Sequence, residues 1–270
     1  MLFSHLYSSA VDQELGTDDS TRLFLTARRQ RAINQAQLHF CDLTECAIRQ
    51  STVTCSNGTR EYNLLSTVNV QPGDYLRLAK QGIEYHLISS GSSASTTFIA
   101  GDDLPRRDIP WLNQYESGWR SSTGGTPTAY YERMDGGRRF LGLTPPPAIT
   151  SSQVGKVILP YVAKPSSMTA DTNIPFTFTD TNGSTAREDL EPYHQALVHY
   201  AAYELEKLRL NSEGSQVQMQ LFMGYVERFL RSMQPKGGQQ VRLGRNYFGE
   251  IRGRSRGREV EQQIPYPWRL

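Results

Sequence analysis

The side chains most able to do chemistry are five histidines, His5, His39, His86, His194 and His199, and three cysteines, Cys41, Cys46 and Cys55. A zinc or iron site needs three or four such ligands converging on one point. His194 and His199 are five positions apart in a helical pattern, which turns them roughly 140° from each other around the axis, away from a shared metal face. The cysteines are odd in number and show no CxxC spacing, so they are read as reduced, partly buried thiols and not as a zinc or disulfide framework. Adjacent carboxylates at Asp18-Asp19, Asp102-Asp103 and Glu188-Asp189 have the residue types of a glycosidase pair. Each lies in a polar loop or at a helix start, where solvation or capping accounts for it. No GxSxG, Walker A, HExxH or calcium-loop pattern occurs, and Gly124-Gly125 and Gly136-Gly137 have the look of turns, not of a dinucleotide loop. The reading is of a protein without catalytic centre, metal or cofactor.

The chemistry that remains is that of contact. Arg252, Arg254, Arg256 and Arg258 alternate with small residues near Arg245, Tyr247 and Phe248, and the segment closes on Pro265-Tyr266-Pro267-Trp268. From Pro235 onward eight basic residues face three acidic ones, a net +5, which leaves the first 234 residues at −3 within a chain of net +2. A charged block with few apolar residues cannot build its own core. It is expected to be an arm that orders on a partner, with Tyr247, Phe248, Tyr266 and Trp268 as anchors and the arginines as polar clamps. A second basic cluster, Arg28, Arg29 and Arg31, falls in a helical pattern and is read as that helix's solvated face or a subunit contact. Tyr130 and Tyr131 are read as packing and contact residues.

The elements that carry these residues follow from periodicity. The chain has 270 residues, enough for one large domain or two small ones, with 37% hydrophobic residues and a mean hydropathy of −0.53, which suits a modest core and a large polar surface. No apolar run reaches the about 18 residues of a membrane helix, and Met1 to Leu6 lacks the basic start and apolar stretch of a signal peptide, so a cytosolic site of synthesis is expected. Residues 1–19 are read as a polar, irregular arm. From Ser20 to about Arg49, Leu23, Ala27, Ile33, Ala36, Phe40, Leu43 and Ala47 line one helix face, with Asp18, Asp19 and Ser20 as capping residues. Thr52 to Cys55 and Arg60 to Leu65 read as a hairpin around Ser56-Asn57-Gly58, since Asn-Gly supplies the positive φ of tight turns. Alternating runs follow at 68–70, 75–78 and 83–88, then a Ser/Gly/Thr loop at 89–97 and a loop or short helix at 102–119 anchored by Trp111 and Trp119. A hairpin over 130–143 turns at Asp135-Gly136-Gly137, and a third strand runs from Lys156 to Ala163. Lys164 to Arg187 is a long polar connection in which Phe176-Thr177-Phe178 is a short strand or a hydrophobic latch. Helices over about 191–210 and 215–233, joined by Asn211 to Gly214, form an antiparallel hairpin.

The fold class is therefore α+β. The expected organisation is an arm at 1–19, a helical body from 20–50 and 187–235, a β-rich insertion at 51–186 and an extended arm at 236–270. Pro145 to Pro147 and Pro165 mark where the chain leaves and re-enters the body.

This order of parts resembles that of the head–tail adaptor (connector) proteins of tailed bacteriophages. The resemblance covers roughly Arg22 to Met233. It rests on Ala32-Ile33-Asn34-Gln35-Ala36 in the first helix, Arg60-Glu61-Tyr62-Asn63-Leu64, and a tryptophan with Gly125-Thr126-Pro127 leading into Tyr130-Tyr131. Further on it includes Leu143-Thr144-Pro145-Pro146-Pro147, Lys156-Val157-Ile158-Leu159-Pro160-Tyr161 with Pro165, and Tyr193-His194-Gln195-Ala196-Leu197 through Tyr200-Ala201. The resemblance implies a structural subunit of a ring, commonly twelvefold, at the virion neck and assembled in the host cytoplasm. Its partners would be further copies of itself, a portal protein reached through the C-terminal arm, a tail or nozzle protein, and DNA passing without sequence-specific binding, with no membrane involved. Two other readings stay open on the residues alone. One is a tail or nozzle component whose β-rich module binds carbohydrate or protein, and the other is a nucleic-acid-binding protein acting through the Arg/Gly tail.

Overall fold

A computed structural model describes residues 1–16, 25–64, 74–89, 102–180 and 183–233. It divides the chain into two units, Met1–Met233 and Gln234–Leu270, of which the first holds all the described residues.

The N-terminal residues are not an irregular arm. Helix α1, Phe3–His5, runs through a π-helical turn, Leu6–Ala10, into α2, Val11–Glu14. Phe3, Leu6, Ala10, Val11 and Leu15 are buried in the main core, and these positions recur at the three- and four-residue steps of a helix face. Helix α3, Thr26–Thr44, is shorter than the 20–49 expected. Asp18, Asp19 and Ser20 lie outside the described residues. The helix stops because Glu45 takes a left-handed conformation, φ 52°, and the chain from Ile48 is claimed by a sheet.

Strand β1, Ile48–Cys55, does not fold back on β2, Glu61–Asn63. The expected turn is present, with Gly58 at φ +69°, but it carries the chain from one sheet to another. In the first sheet the central strand is β8, Gln153–Ala163, and β1 pairs with it antiparallel from Ile48↔Val162 to Cys55↔Gly155. Its other edge is shared by β3, Tyr75–Leu78, and β4, Ile83–Ser89, and β5, Asp102–Leu104, lies outside β4. Val157, Leu159 and Tyr161 of β8 are buried, so the burial gained by flanking β8 outweighs the local turn in choosing partners.

The second sheet has the order β2-β7-β6, with β6 Ala129–Asp135 and β7 Arg138–Thr144. Asp135 pairs with Arg138 across Gly136-Gly137, whose φ values of +53° and +77° are those a two-residue hairpin turn demands. The polar connection at 164–187 contains a further hairpin, β9 Thr177–Asp180 with β10 Gly183–Ala186. Between β5 and β6 along the chain comes α4, Ile109–Tyr115, started by Asp108, whose side chain accepts from the Trp111 N–H at 2.8 Å.

A 3-10 turn, Glu188–Tyr193, leads into α5, His194–Leu208, and Asn211 caps α6, Ser212–Ser232. Phe222, Val226 and Phe229 of α6 and Leu197, Ala201 and Leu205 of α5 are buried in the same core as the β8 residues, so the helices and the first sheet share one interior. At its centre Phe40 of α3 meets Phe176 at 5.3 Å, Phe229 at 5.7 Å and Tyr193 at 5.8 Å between ring centroids. Phe176 and Phe178 thus close over the helices from the connection, as a latch and the start of a strand at once.

Candidate partner-binding surfaces

His194, His199 and His86 are placed as structural side chains. His194 packs on Phe176 with its Nδ1 3.1 Å from the Met1 amino group, and burial with that adjacent charge pushes its pKa down to about 4. His199 shares a hydrogen bond of 2.8 Å with Gln218, and His86 lies 2.9 Å from Glu84. Among the described residues no three of His, Cys, Asp and Glu converge as a metal site would require. Cys41 and Cys46 are free buried thiols 3.4 Å apart, and Cys55 is buried as well, its pKa pushed up to about 11.

The predicted contact residues separate into three groups. Arg245, Tyr247, Phe248, Arg252, Arg254, Arg256, Arg258, Tyr266 and Trp268 lie outside the described residues. On α3, Arg28 and Arg31 are exposed, whereas Arg29 is 1% exposed and bonds Asp12 of α2 at 2.7 Å. It is not part of a solvated face: α2 comes to lie over it and supplies the counter-charge that burial requires. Tyr130 and Tyr131 are also interior. Tyr130 sits in the main core, and Tyr131 lies over Gly142 and Trp119, its hydroxyl donating to Glu61 at 3.0 Å. Neither presents a ring to a neighbour, because β6 directs both side chains against other elements of its own subunit.

Three surfaces stand in their place. An open groove of about 410 Å³ runs between α3, α5 and β3, lined by Gln35, Leu38, His39, Asp42, Leu76, Tyr200 and Glu204. The outer side of α6 exposes Val217 and Leu221, one turn apart. The third is α4, which rests on a small cluster of its own, Leu112, Trp119 and Tyr131, separate from the main core. The sequence reading took Trp111 and Trp119 as anchors but missed Arg107 and Tyr115. For Tyr115 its place four residues after Trp111 was the available signal; Arg107 lies ahead of the helix and gave none.

Apolar and aromatic residues exposed on an otherwise polar surface, as on α4 and α6, suit contact with other proteins. Residues 1–249 match the profile of the SU10 adaptor proteins, and the chain belongs to that phage head–tail adaptor family. It is a structural virion component of the neck, joining other parts such as portal and tail. No curated protein matches the sequence. Among the described residues no helix is long and apolar enough to cross a membrane.

Proposed function

We propose that the protein forms a closed ring, twelvefold in keeping with the portal it would serve, beneath the portal of the filled head. There it continues the DNA channel and offers a platform to the tail or nozzle. The observation that carries this reading is the extent of the family match, which runs to residue 249, through the body that ends at Met233 and on into the basic segment. Identical subunits repeated by rotation make heterologous contacts, and Arg28 and Arg31 on α3 are assigned to that subunit contact.

The arm docks the ring to the portal. Tyr247, Phe248, Tyr266 and Trp268 anchor it, and Arg245, Arg252, Arg254, Arg256 and Arg258 supply planar donors for carboxylates. The −3 balance of the first 234 residues favours a channel wall that lets DNA slide, since fixed cations would hold it in a salt-dependent way.

Electron microscopy of the protein mixed with its cognate portal tests the reading. A ring of added density on the portal is expected, and removal of residues 239–270 should abolish it while the melting of the remaining body stays unchanged. Portal particles without added density would overturn the proposal. A truncation that loses duplex-DNA retention but still docks would favour nucleic-acid binding instead.

A further inference from the structure

Helix α4 has a support of its own. Its cluster of Leu112, Trp119 and Tyr131, with Ile109 and Trp111 packed on it, lies apart from the core that joins helices and sheet. Asn113 tightens the support, its Oδ1 accepting from Trp119 Nε1 at 3.0 Å and from Arg120 Nη1 at 2.6 Å. What this holds in place is a ladder. The Arg107 guanidinium lies 4.3 Å from the centre of the Trp111 ring, and Trp111 meets Tyr115 at 5.2 Å. Tyr115 is 62% exposed. Beside the ladder Arg120 is exposed and covers Trp119 at 4.5 Å.

We infer that Arg107, just ahead of α4, and Trp111 and Tyr115 on it, with Arg120, form the docking site for an acidic segment of the tail or nozzle protein. This rests on the adaptor reading above. Trp, Tyr and Arg are the residues that carry most energy at protein interfaces. A guanidinium held over an indole ring keeps N–H groups for a carboxylate and loses less entropy on binding, because the ring already restrains it. Arg107 and Arg120 have no carboxylate partner among the described residues, whereas the neighbouring Arg106 is held by Glu132 at 3.1 Å. Two arginines with Asp108 and Glu116 as chain neighbours make no basic track of the kind a nucleic-acid backbone needs, whereas two free guanidinium edges suffice for a short acidic segment.

The test uses the full chain assembled on its portal and tails isolated from the same virion as probe. Arg107→Glu and Tyr115→Ala are compared with Arg138→Glu, an exposed arginine on the β6–β7 turn. The first two should weaken tail attachment at least tenfold and the third should not, with ring formation on the portal and melting temperature unchanged in all three. Attachment equal to the parent in both ladder variants would overturn this inference and leave the adaptor reading standing. So would parent rings that sit on the portal and take up no tails, or ladder variants that lose duplex-DNA retention in place of tail attachment. A parent protein that forms no ring on the portal would overturn the adaptor reading and this inference with it.

Discussion

Arg29 Nη1 lies 2.7 Å from Asp12 Oδ2, with the two side chains 1% and 10% exposed. The pair joins α2 to the first turns of α3, across residues whose local sequence shows no connection. Removing Asp12 leaves the Arg29 guanidinium buried without this counter-charge, and breaking a buried pair in that way typically costs about 3–5 kcal/mol, whereas replacing both by apolar residues of similar volume is often close to neutral. Asp12→Ala is therefore expected to lower stability by about 3 kcal/mol and to release the N-terminal helices to protease. Arg29→Met combined with Asp12→Leu should recover most of it. Thermal melting with limited proteolysis decides the point, and a double variant no better than the single one would show that the pair is not what fixes α2.

Tyr131 and Gly142 face each other across the β6–β7 pair, and the ring lies over the glycine backbone. A Cβ at position 142 would fall inside the ring. The ring has no room to yield, because Trp119 meets it edge-on at 5.1 Å and its hydroxyl is bonded to Glu61. Gly142→Ala should cost about 2–3 kcal/mol by overpacking. In Tyr131→Ala the obstacle is gone, so adding Gly142→Ala to it should cost almost nothing further. Urea unfolding of the four proteins in the cycle gives the coupling directly, and additive losses would contradict the steric account.

How much of this was legible beforehand differs by element. The α5–α6 hairpin, the β6–β7 hairpin and α3 follow from patterns contained within about twenty residues, and their signals are strong. The β1–β2 hairpin failed because a turn says how the chain reverses and not what it pairs with. Ser56-Asn57-Gly58 forms its turn, yet β1 is taken by β8 some hundred residues later. Phe3, Leu6, Ala10 and Val11 did have helical spacing, masked by the serines between them. Tyr130 and Tyr131 illustrate the limit for contact residues: aromatic content marks energetic importance but does not separate a subunit's interior from its surface.

Arg77 closes the end of α3. Its Nε donates to Asp42 Oδ1 at 2.5 Å, its Nη1 to Glu45 Oε1 at 2.8 Å, and its Nη2 to the Asp42 carbonyl, one of those a helix end leaves unsatisfied. A planar fork serves all three acceptors and a lysine ammonium does not. Arg77→Lys should cost about 1–2 kcal/mol, and amide exchange should quicken over residues 41–45 before the rest of α3. Uniform quickening along the helix would mean that Arg77 acts through β3 packing and not through the helix end.

His194 makes the fold sensitive to acid. Burial first, and the Met1 ammonium second, hold its pKa at about 4 against an ordinary 6.5, while Glu191 works in the opposite sense. Burial also lowers His39, against the pull of Asp42 and Glu204. The folded state keeps His194 neutral, so between pH 6.5 and 4 the unfolded chain takes up a proton that the fold refuses. Stability is then level above pH 6.5 and falls as the pH drops through that window, at no more than about 1.4 kcal/mol per pH unit for one histidine. Asp189, held below the usual carboxylate range by Arg187, loses its contribution only at lower pH. His194→Gln keeps an acceptor for the Met1 amine but cannot take up the proton. It should flatten the slope of stability between pH 6.5 and 4, leaving the shallower one of His39. Urea midpoints measured every half pH unit on both proteins give the comparison, and parallel slopes would assign the acid sensitivity elsewhere.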